Sequence, residues 1–541
     1  MEPAHPGRWI RRLFALAAAV VLVAACGRVD VASSPSVSTA ATTDPALVTT
    51  ASGVVRGVLA PGLRFFGGIP YAAPPTGALR FAPPAPALPW DGVRDASKPG
   101  SRCMQDPQGD LEMGRNSSED CLFLNVWTPP VKQSGERRPV LVWIHGGAFI
   151  NGSAGIYHSE RLVKRGDVVV VTLNYRLGAL GFLAHPALGN GTDVGNYGLA
   201  DQQAALRWVR DNIAAFGGDP DQVTVAGESA GGMSVCDHLV APGSVGLFRA
   251  AIIQSGPCQA QVALPDAERS SLAYARGVGC GDPATAATCL RRLPVDKLRK
   301  PVWYYRIGED SLSGPVTGTA ALPVDPMQAI AAGSAAQVPV LIGTNHDEFT
   351  LFVGLQYLKS GKRFSPAAYP RLLSETFGAN ADAVAEHYPL SRYRGSAASA
   401  YSAAVTDGAF SCVGDSIADA LATDVPVYAY EFNDPAPPTP EPLRRLPFPL
   451  GASHALELRY TFDMGGAPPM SPEQTALSEQ MIDYWTSFVK TGKPSAPGAL
   501  EWPQLSGGPD EIRLSLRPDG SRLMDEFDAD HQCTFWQSLK P

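Results

Sequence analysis

Short runs of apolar residues alternate with amphipathic stretches along most of the chain. Runs dominated by branched and aromatic side chains predict buried β-strands, because strands covered on both faces read as unbroken apolar segments. These runs occupy residues 140–144, 168–173, 222–226, 250–254, 338–343 and 425–432. Residues 199–215 carry apolar side chains at helical spacing and predict a helix. The alternation of strands and helices predicts an α/β fold with a mostly parallel central sheet and helices on both faces.

Two longer stretches interrupt this alternation. Residues 262–335 and 350–420 have helical and loop-like patterns, and both lie between predicted strands. We therefore expect helical insertions that form a cleft, and not separate domains. No proline- or serine-rich linker follows residue 47, so a single domain is predicted over residues 47–541.

The N-terminal pattern is typical of an export signal. A basic start precedes an apolar stretch at residues 13–25, which is too short to span a bilayer, so residues 1–25 are predicted to be a signal peptide. Small residues before Cys26 resemble a bacterial lipobox, which predicts a lipid anchor on Cys26 at the outer face of the cell membrane. Ordinary cleavage with secretion is the alternative, and a pair of adjacent arginines also fits twin-arginine export. Residues 26–46 are predicted to be a flexible tether.

Composition narrows the class of protein. The chain has 541 residues, 45 % of them hydrophobic, and a net charge of −8, which excludes a disordered chain and argues against a nucleic-acid partner. Without Cys26, eight of the nine cysteines remain, an even number that fits an oxidising compartment. Their spacing is not typical of zinc or haem sites, and we expect no metal and no cofactor.

A serine lies in a sharp-turn motif directly after the predicted strand 222–226. Residues 227–231 read Gly-Glu-Ser-Ala-Gly, and a helix is predicted from Ala230 to about Leu239. This pattern between a strand and a helix is typical of a nucleophile elbow, in which the serine hydroxyl projects above the sheet. We therefore interpret Ser229 as a nucleophile; the alternative is a glycine-rich turn with an inert serine.

A second glycine-rich loop follows the predicted strand 140–144. Residues 145–149 read His-Gly-Gly-Ala-Phe, close to the HGGG-type loop of esterases. Small residues let backbone N–H groups approach a substrate oxygen, so we predict an oxyanion hole formed by Gly147, Ala148 and Ala230. A tight turn without a catalytic role is the alternative.

With these motifs, the chain resembles the type-B carboxylesterase/cholinesterase family of the α/β-hydrolase fold, as a bacterial exported lipoprotein member. The resemblance covers nearly all of residues 50–540. Further matching motifs lie at residues 66–72, 119–125, 174–178, 195–202, 216–220 and 254–256. The family implies a serine hydrolase that forms an acyl-enzyme with carboxylic esters.

The family order places an acid and then a histidine after the serine. His454 lies in a loop that resembles the family's histidine loop and is predicted to be the base. Glu348 follows the predicted strand 338–343 and is predicted to be the acid that orients the imidazole. Asp347 is the alternative acid, and Phe349 stands where the family often has glycine.

The resemblance also implies supporting residues. Glu228 and Ser255 resemble residues near the nucleophile in the family, although Glu228 also fits a solvated turn. The implied disulfides are Cys103–Cys121, Cys280–Cys289 and Cys412–Cys533. Cys236 and Cys258 are additional, and they either pair or remain buried thiols.

The first disulfide loop bears on the substrate. Cholinesterase-like relatives carry a tryptophan there that binds a quaternary ammonium group, but residues 104–120 contain no aromatic side chain. We therefore expect short- or medium-chain esters as small-molecule partners. The alternatives are a lipase or amidase with the same triad, or a non-catalytic binding module, which the intact Ser229, Glu348 and His454 oppose.

Overall fold

The computed structural model describes residues 44–106, 116–131, 135–307, 310–360, 364–508 and 511–539. The predicted signal peptide, Cys26 and most of the predicted tether lie outside the described residues. From Asp44 onward the chain forms one compact unit. The last three residues of the predicted tether belong to this unit, because Ala46 is buried and Asp44 forms a 2.8 Å ion pair with Arg56.

An 11-stranded sheet forms the centre of this unit. Its strands are β1 (Val58–Ala60), β2 (Leu63–Pro70), β3 (Phe123–Thr128), β4 (Arg138–Ile144), β5 (Val169–Leu173), β6 (Gly218–Glu228), β7 (Ala250–Gln254), β8 (Val340–Asn345), β9 (Val427–Phe432), β10 (Arg513–Leu516) and β11 (Arg522–Met524). Their spatial order is β11-β10-β9-β8-β7-β6-β4-β5-β3-β2-β1. Neighbours from β10 to β5 pair in parallel, whereas the outer pairs are antiparallel. The sheet confirms the predicted α/β class.

Four small sheets lie outside the central one. Their strands are Leu47–Thr50, Gly53–Arg56 and Val93–Asp95; Arg102–Cys103 and Ser117–Ser118; Val262–Ala263 and Val316–Thr317; and Tyr305–Ile307 and Asp310–Leu312.

The described residues form 16 α-helices, some of which cover both faces of the central sheet. They are α1 (Glu160–Gly166), α2 (Gly178–Phe182), α3 (Tyr197–Asn212), α4 (Ala230–Val240), α5 (Leu264–Gly277), α6 (Ala286–Arg292), α7 (Pro326–Ala331), α8 (Thr350–Ser360), α9 (Tyr369–Phe377), α10 (Ala381–His387), α11 (Ala397–Thr406), α12 (Cys412–Ala422), α13 (Leu458–Thr461), α14 (Pro472–Thr491), α15 (Phe527–His531) and α16 (Cys533–Ser538). No described helix is both long and apolar enough to span a membrane.

Strand β4 shows why the apolar runs predict this arrangement. Side chains alternate between the two faces of a strand; Val140 and Val142 pack with α3, α4, α7 and α12 on one face. Leu141 and Trp143 pack with α1, α13 and α14 on the other. Because both faces of the strand are buried, residues 140–144 are all apolar and do not alternate with polar residues.

The two predicted insertions supply further helices. The first contains α5 to α7 and short strands, and the second contains α8 to α12. Helices α8 to α11 share an apolar cluster of their own. Four disulfides join Cys103 to Cys121, Cys236 to Cys258, Cys280 to Cys289 and Cys412 to Cys533. They include the three pairings implied by the resemblance and the pairing that the sequence left open.

Candidate active site

Ser229 lies at the turn between β6 and α4. Its φ of 56° and ψ of −124° are unusual for a residue with a side chain, and such strain is concentrated at functional sites. The turn is held by a hydrogen bond from Ser229 N–H to the carbonyl oxygen of Gln254, at 2.9 Å. A side chain at Gly231 would overlap the carbonyl oxygen of Ile144, so the helix can approach β4 only with glycine there. The local geometry is that of a nucleophile elbow.

Glu348 and His454 are brought together from two loops. Glu348 follows β8 and is fully buried, and its Oε1 accepts a hydrogen bond from Asn345 N–H at 2.8 Å. Its Oε2 lies 2.5 Å from His454 Nδ1. This contact fixes the imidazole orientation and places Nε2 as the free nitrogen of the ring. Asp347, the alternative acid, instead accepts a hydrogen bond from Ala452 N–H at 2.9 Å.

The second ring nitrogen of His454, Nε2, contacts Glu228. Within the described residues, His454 Nε2 lies 3.2 Å from Glu228 Oε1, and no hydrogen bond joins it to Ser229 Oγ. Ser229 is the residue that directly follows Glu228. The structure therefore brings His454 to the elbow, but directs its free nitrogen to the neighbouring carboxyl group.

The predicted oxyanion loop lies against the elbow. A Cβ atom on Gly146 would be 3.0 Å from Ser229 Cβ, which shows how closely the loop passes. Gly147 and Ala148 adopt positive φ angles of 106° and 52°. Their N–H groups and that of Ala230 make no hydrogen bond within the described residues. Within the described residues these three donors are therefore unpaired, as the predicted oxyanion hole requires.

Three buried glutamates surround the imidazole. Burial by itself lowers the pKa of His454, but the charges of Glu228 and Glu348, the hydrogen bond to Glu348 and the charge of Glu457 raise it to about 9. Burial raises the pKa of Glu228 and of Glu457, and nearby carboxylates add to the effect. The charge of Glu228 therefore favours the protonated form of His454, and the charge of protonated His454 lowers the pKa of Glu228.

Glu457 was not singled out from the sequence. Asn345 Nδ2 donates to one of its oxygens at 2.6 Å, and Gln254 Nε2 donates to the other at 3.3 Å. Its position three residues after His454 was the available signal, since both then lie on one turn. Ser255, which the sequence did single out, has a buried hydroxyl without a hydrogen-bond partner among the described residues.

Aromatic rings cover His454 on the side of the second insertion. The ring of Phe352, on α8, lies 5.1 Å from the imidazole centre, and that of Phe410 lies 5.4 Å from it. Phe349 packs against Phe352 at 5.1 Å. The surroundings of the His454 ring are therefore apolar apart from the glutamates.

His145 has a different environment. Its Nδ1 lies 2.8 Å from the carbonyl oxygen of Gly146, and its ring stacks on Tyr175 at 4.5 Å. Burial lowers the pKa of His145 to about 4. A neutral, packed ring of this kind helps to fix the start of the predicted oxyanion loop.

The fold and the elbow define an α/β-hydrolase. Residues 44–536 match the Carboxylesterase family, and the chain belongs to that family and is an ester hydrolase.

Named relatives agree with this assignment. Para-nitrobenzyl esterase of Bacillus subtilis (strain 168) is 38 % identical over 474 residues, which cover 84 % of this chain and 92 % of that protein. Acylcarnitine hydrolase of Mus musculus is 34 % identical over 509 residues, covering 86 % and 85 %. The solved structure of a thermophilic PNB esterase has a TM-score of 0.78 and 33 % identity, and the match covers 91 % of this chain and all of that one.

Proposed function

We propose that the protein hydrolyses carboxylic esters through an acyl-enzyme on Ser229, with His454 as base and Glu348 as acid. The observation that carries the proposal is the 2.5 Å contact between His454 Nδ1 and Glu348 Oε2 beside the elbow. It leaves Nε2 as the only ring nitrogen able to accept a proton. The family membership independently supports hydrolysis of esters.

The proposed reaction has two halves. His454 Nε2 accepts the proton of Ser229 Oγ as the oxygen attacks the ester carbonyl, and the N–H groups of Gly147, Ala148 and Ala230 stabilise the resulting oxyanion. Collapse of the intermediate releases the alcohol, which takes the proton from His454. Water then attacks the acyl-enzyme in the same way and releases the carboxylic acid, so no cofactor is needed.

The contact with Glu228 must give way before this reaction begins. Its Oε1 lies 3.2 Å from Nε2, the nitrogen that would face Ser229 Oγ. While Glu228 is charged it favours the protonated imidazole, which cannot accept a proton. We propose that Glu228 is a positioning residue that sets the pH at which His454 becomes available.

Short- or medium-chain esters with uncharged alcohol groups are the proposed substrates. Phe352 and Phe410 offer apolar surface next to His454, which suits uncharged groups. The absence of aromatic residues between positions 104 and 120 argues against a quaternary ammonium group in the substrate. Para-nitrobenzyl esterase is named for an ester of an uncharged alcohol, whereas acylcarnitine hydrolase is named for esters of a quaternary ammonium alcohol, so the two relatives differ in this respect.

Turnover of a short-chain nitrophenyl ester and labelling by a fluorophosphonate test the proposal. Ser229→Ala should abolish labelling and lower kcat by about 10⁴–10⁶-fold. Ser365→Ala, which changes an exposed serine in the same way, should leave both unchanged. Folded wild-type protein that is neither labelled nor active would favour a binding module of the same fold.

Export and lipidation remain a separate proposal from the sequence. We propose that cleavage exposes Cys26, which then carries lipid. Mass spectrometry of the mature N-terminus, after expression in a bacterial host, should show a lipid-modified Cys26. An unmodified N-terminus near this position would indicate ordinary secretion.

A further inference from the structure

A second histidine is held between two buried carboxyl groups near the candidate active site. His531 Nδ1 lies 2.5 Å from Asp407 Oδ1, and its Nε2 lies 2.6 Å from Glu431 Oε1. All three side chains are buried. Tyr388 donates its hydroxyl hydrogen to the other oxygen of Asp407 at 2.7 Å, and Asn433 Nδ2 donates to the other oxygen of Glu431 at 2.9 Å. We call this set, Asp407, His531 and Glu431, the imidazolium clamp.

The clamp has the geometry of hydrogen bonds and not of metal ligation. His346, Glu431 and His531 are close enough together to be considered as ligands of a metal ion. Two ligands of a tetrahedral zinc ion, with bonds of about 2.1 Å, would lie about 3.4 Å apart. The separation of 2.6 Å between His531 Nε2 and Glu431 Oε1 is too short for a shared ion and fits a shared proton.

Two carboxylates on the two ring nitrogens require a protonated imidazole, because both nitrogens must then donate. Burial by itself lowers the pKa of His531, but the charges of Asp407 and Glu431 and their hydrogen bonds raise it to about 10.

The groups around the clamp come from several elements. The His346 ring, on the loop that carries Glu348, lies 5.4 Å from the His531 ring. His346 Nε2 contacts Asp530 at 3.3 Å and its Nδ1 contacts Asp347 at 3.2 Å. The Phe527 ring lies 4.6 Å from His531 and adds no charge. Protonated His531 therefore has a carboxyl group at each ring nitrogen, and the neighbouring His346 contacts two further carboxyl groups.

Asp407 connects the clamp to an aromatic side chain beside the candidate active site. Asp407 begins a single π-helical turn, Asp407–Ser411, which carries Phe410 against His454. The preceding residue, Thr406, accepts a hydrogen bond on its hydroxyl oxygen from Phe349 N–H at 2.9 Å. Phe349 directly follows Glu348, so the position of this turn affects both the base and the acid.

Glu431 connects the clamp to β8 and β9, the two strands that precede the loops around Glu348. Glu431 lies on β9 opposite Thr344 of β8. One residue further on, the carbonyl oxygen of Phe432 accepts a hydrogen bond from His346 N–H at 3.0 Å. The loop that holds Glu348 therefore begins at strand positions that adjoin the clamp.

We propose that protonated His531 is a positioning residue for ester hydrolysis, which holds the Phe410 turn and the Glu348 loop in register around His454. This inference rests on the proposed roles of Ser229, His454 and Glu348. It assigns His531 no contact with the substrate. Its effect should therefore appear in the chemical step and in the titration of His454, and not in the affinity for the ester.

Two substitutions in the full chain test this role. His531→Gln removes the cation and leaves two carboxyl groups facing each other, whereas Asp407→Asn removes one negative charge and leaves the cation. His387→Gln, which changes an exposed histidine at the end of α10 whose Nδ1 lies 2.9 Å from Gln532 Oε1, is the matched control. kcat, KM and the pH dependence of kcat/KM are measured with a short-chain nitrophenyl ester, and folding is checked by thermal unfolding.

Both clamp variants should lower kcat about tenfold with KM changed by less than about twofold, as expected for displaced catalytic groups. The acidic limb of the pH profile should shift in opposite directions, to higher pH in His531→Gln and to lower pH in Asp407→Asn, because uncompensated negative charge favours the protonated form of His454. Each variant is also compared with wild type by itself, so the sign of its shift remains informative if the other variant folds poorly.

A folded His531→Gln variant with wild-type kcat and an unshifted limb would overturn the inference. The inference would also be overturned if the acidic limb lay at the same pH in both variants and activity fell only in proportion to the amount of unfolded protein. The clamp would then have a purely structural role. Failure of the wild-type protein to react with a fluorophosphonate would instead remove the proposed function itself. The two failures are thus distinguished by wild-type labelling.

Discussion

Replacing Glu228 by glutamine should move the onset of activity to lower pH. His454 must be neutral to accept the proton of Ser229, so activity rises as the pH climbs through the pKa of His454. A negative charge 3.2 Å from Nε2 raises that pKa. Glutamine keeps the shape of the side chain and removes the charge, so the pKa of His454 falls and the rise in activity occurs earlier.

The structure sets the size of the effect. Two unit charges about 4 Å apart interact by about 4 kcal/mol at an effective dielectric constant near 20, which corresponds to about 3 pH units. Burial raises the pKa of Glu228 itself, so this carboxyl group is ionised over only part of the range. We therefore expect the acidic limb of kcat/KM to shift down by about 1–2 pH units.

The assay is kcat/KM for a short-chain nitrophenyl ester between about pH 5 and about pH 10. Glu386→Gln, a change of the same kind at an exposed glutamate, is the control and should leave the limb in place. A fluorophosphonate titration at each pH corrects for the amount of competent enzyme. The wild-type limb should extend into the alkaline range, because the glutamates raise the pKa of His454 to about 9.

An identical limb in Glu228→Gln and wild type would refute the reasoning, because it would mean that Glu228 is neutral throughout the measured range. A shift to higher pH would also contradict it. That outcome would assign the charge of Glu228 a role other than holding the proton on His454.

Gly231→Ala should prevent stable folding or soluble expression, because the added Cβ would overlap a main-chain carbonyl oxygen, whereas Gly277→Ala, with open space around it, should not. Replacing Cys236 and Cys258 together by alanine should cost about 3 kcal/mol of unfolding free energy, since the chain-entropy model applies to their separation of 22 residues; no change in the denaturation midpoint would contradict this. The pKa of His531 is raised from 6.5 to about 10. Its contribution to stability is therefore fully present below pH 6.5 and is lost as the pH rises through about 10. Over this range, Tm should fall less in His531→Gln than in wild type.

The interior of the fold could be predicted from the sequence because its strands are buried on both faces. The apolar runs at residues 140–144 and 250–254 correspond to β4 and β7, with small differences at the ends. The strands at the margins were not predicted. Strand β2 contains two adjacent glycines, and β10 and β11 are short; such strands form because a neighbour is present, and this information is not local.

The candidate site, like the fold, could be predicted from the sequence only in part. The elbow and the predicted oxyanion loop are continuous segments whose turn residues can be recognised, and Ser229, Gly147 and Ala148 in them have positive φ angles. The pairing of His454 with Glu348 spans 106 positions and followed only from the resemblance to a family. Glu457 and the imidazolium clamp had no such motif to identify them.

His454 and His531 have different proposed roles, and their surroundings account for the difference. His531 has a carboxyl oxygen within 2.6 Å of each ring nitrogen, so neither nitrogen is free, and these carboxyl groups raise the pKa of His531 to about 10. His454 has one such contact, at Nδ1, and a longer one of 3.2 Å at Nε2. Because the weaker contact is on the nitrogen that must exchange a proton, loss of the proton there leaves the Glu348 hydrogen bond intact. The two proposals together therefore predict that activity requires a pH at which His454 has released its proton and His531 still holds one.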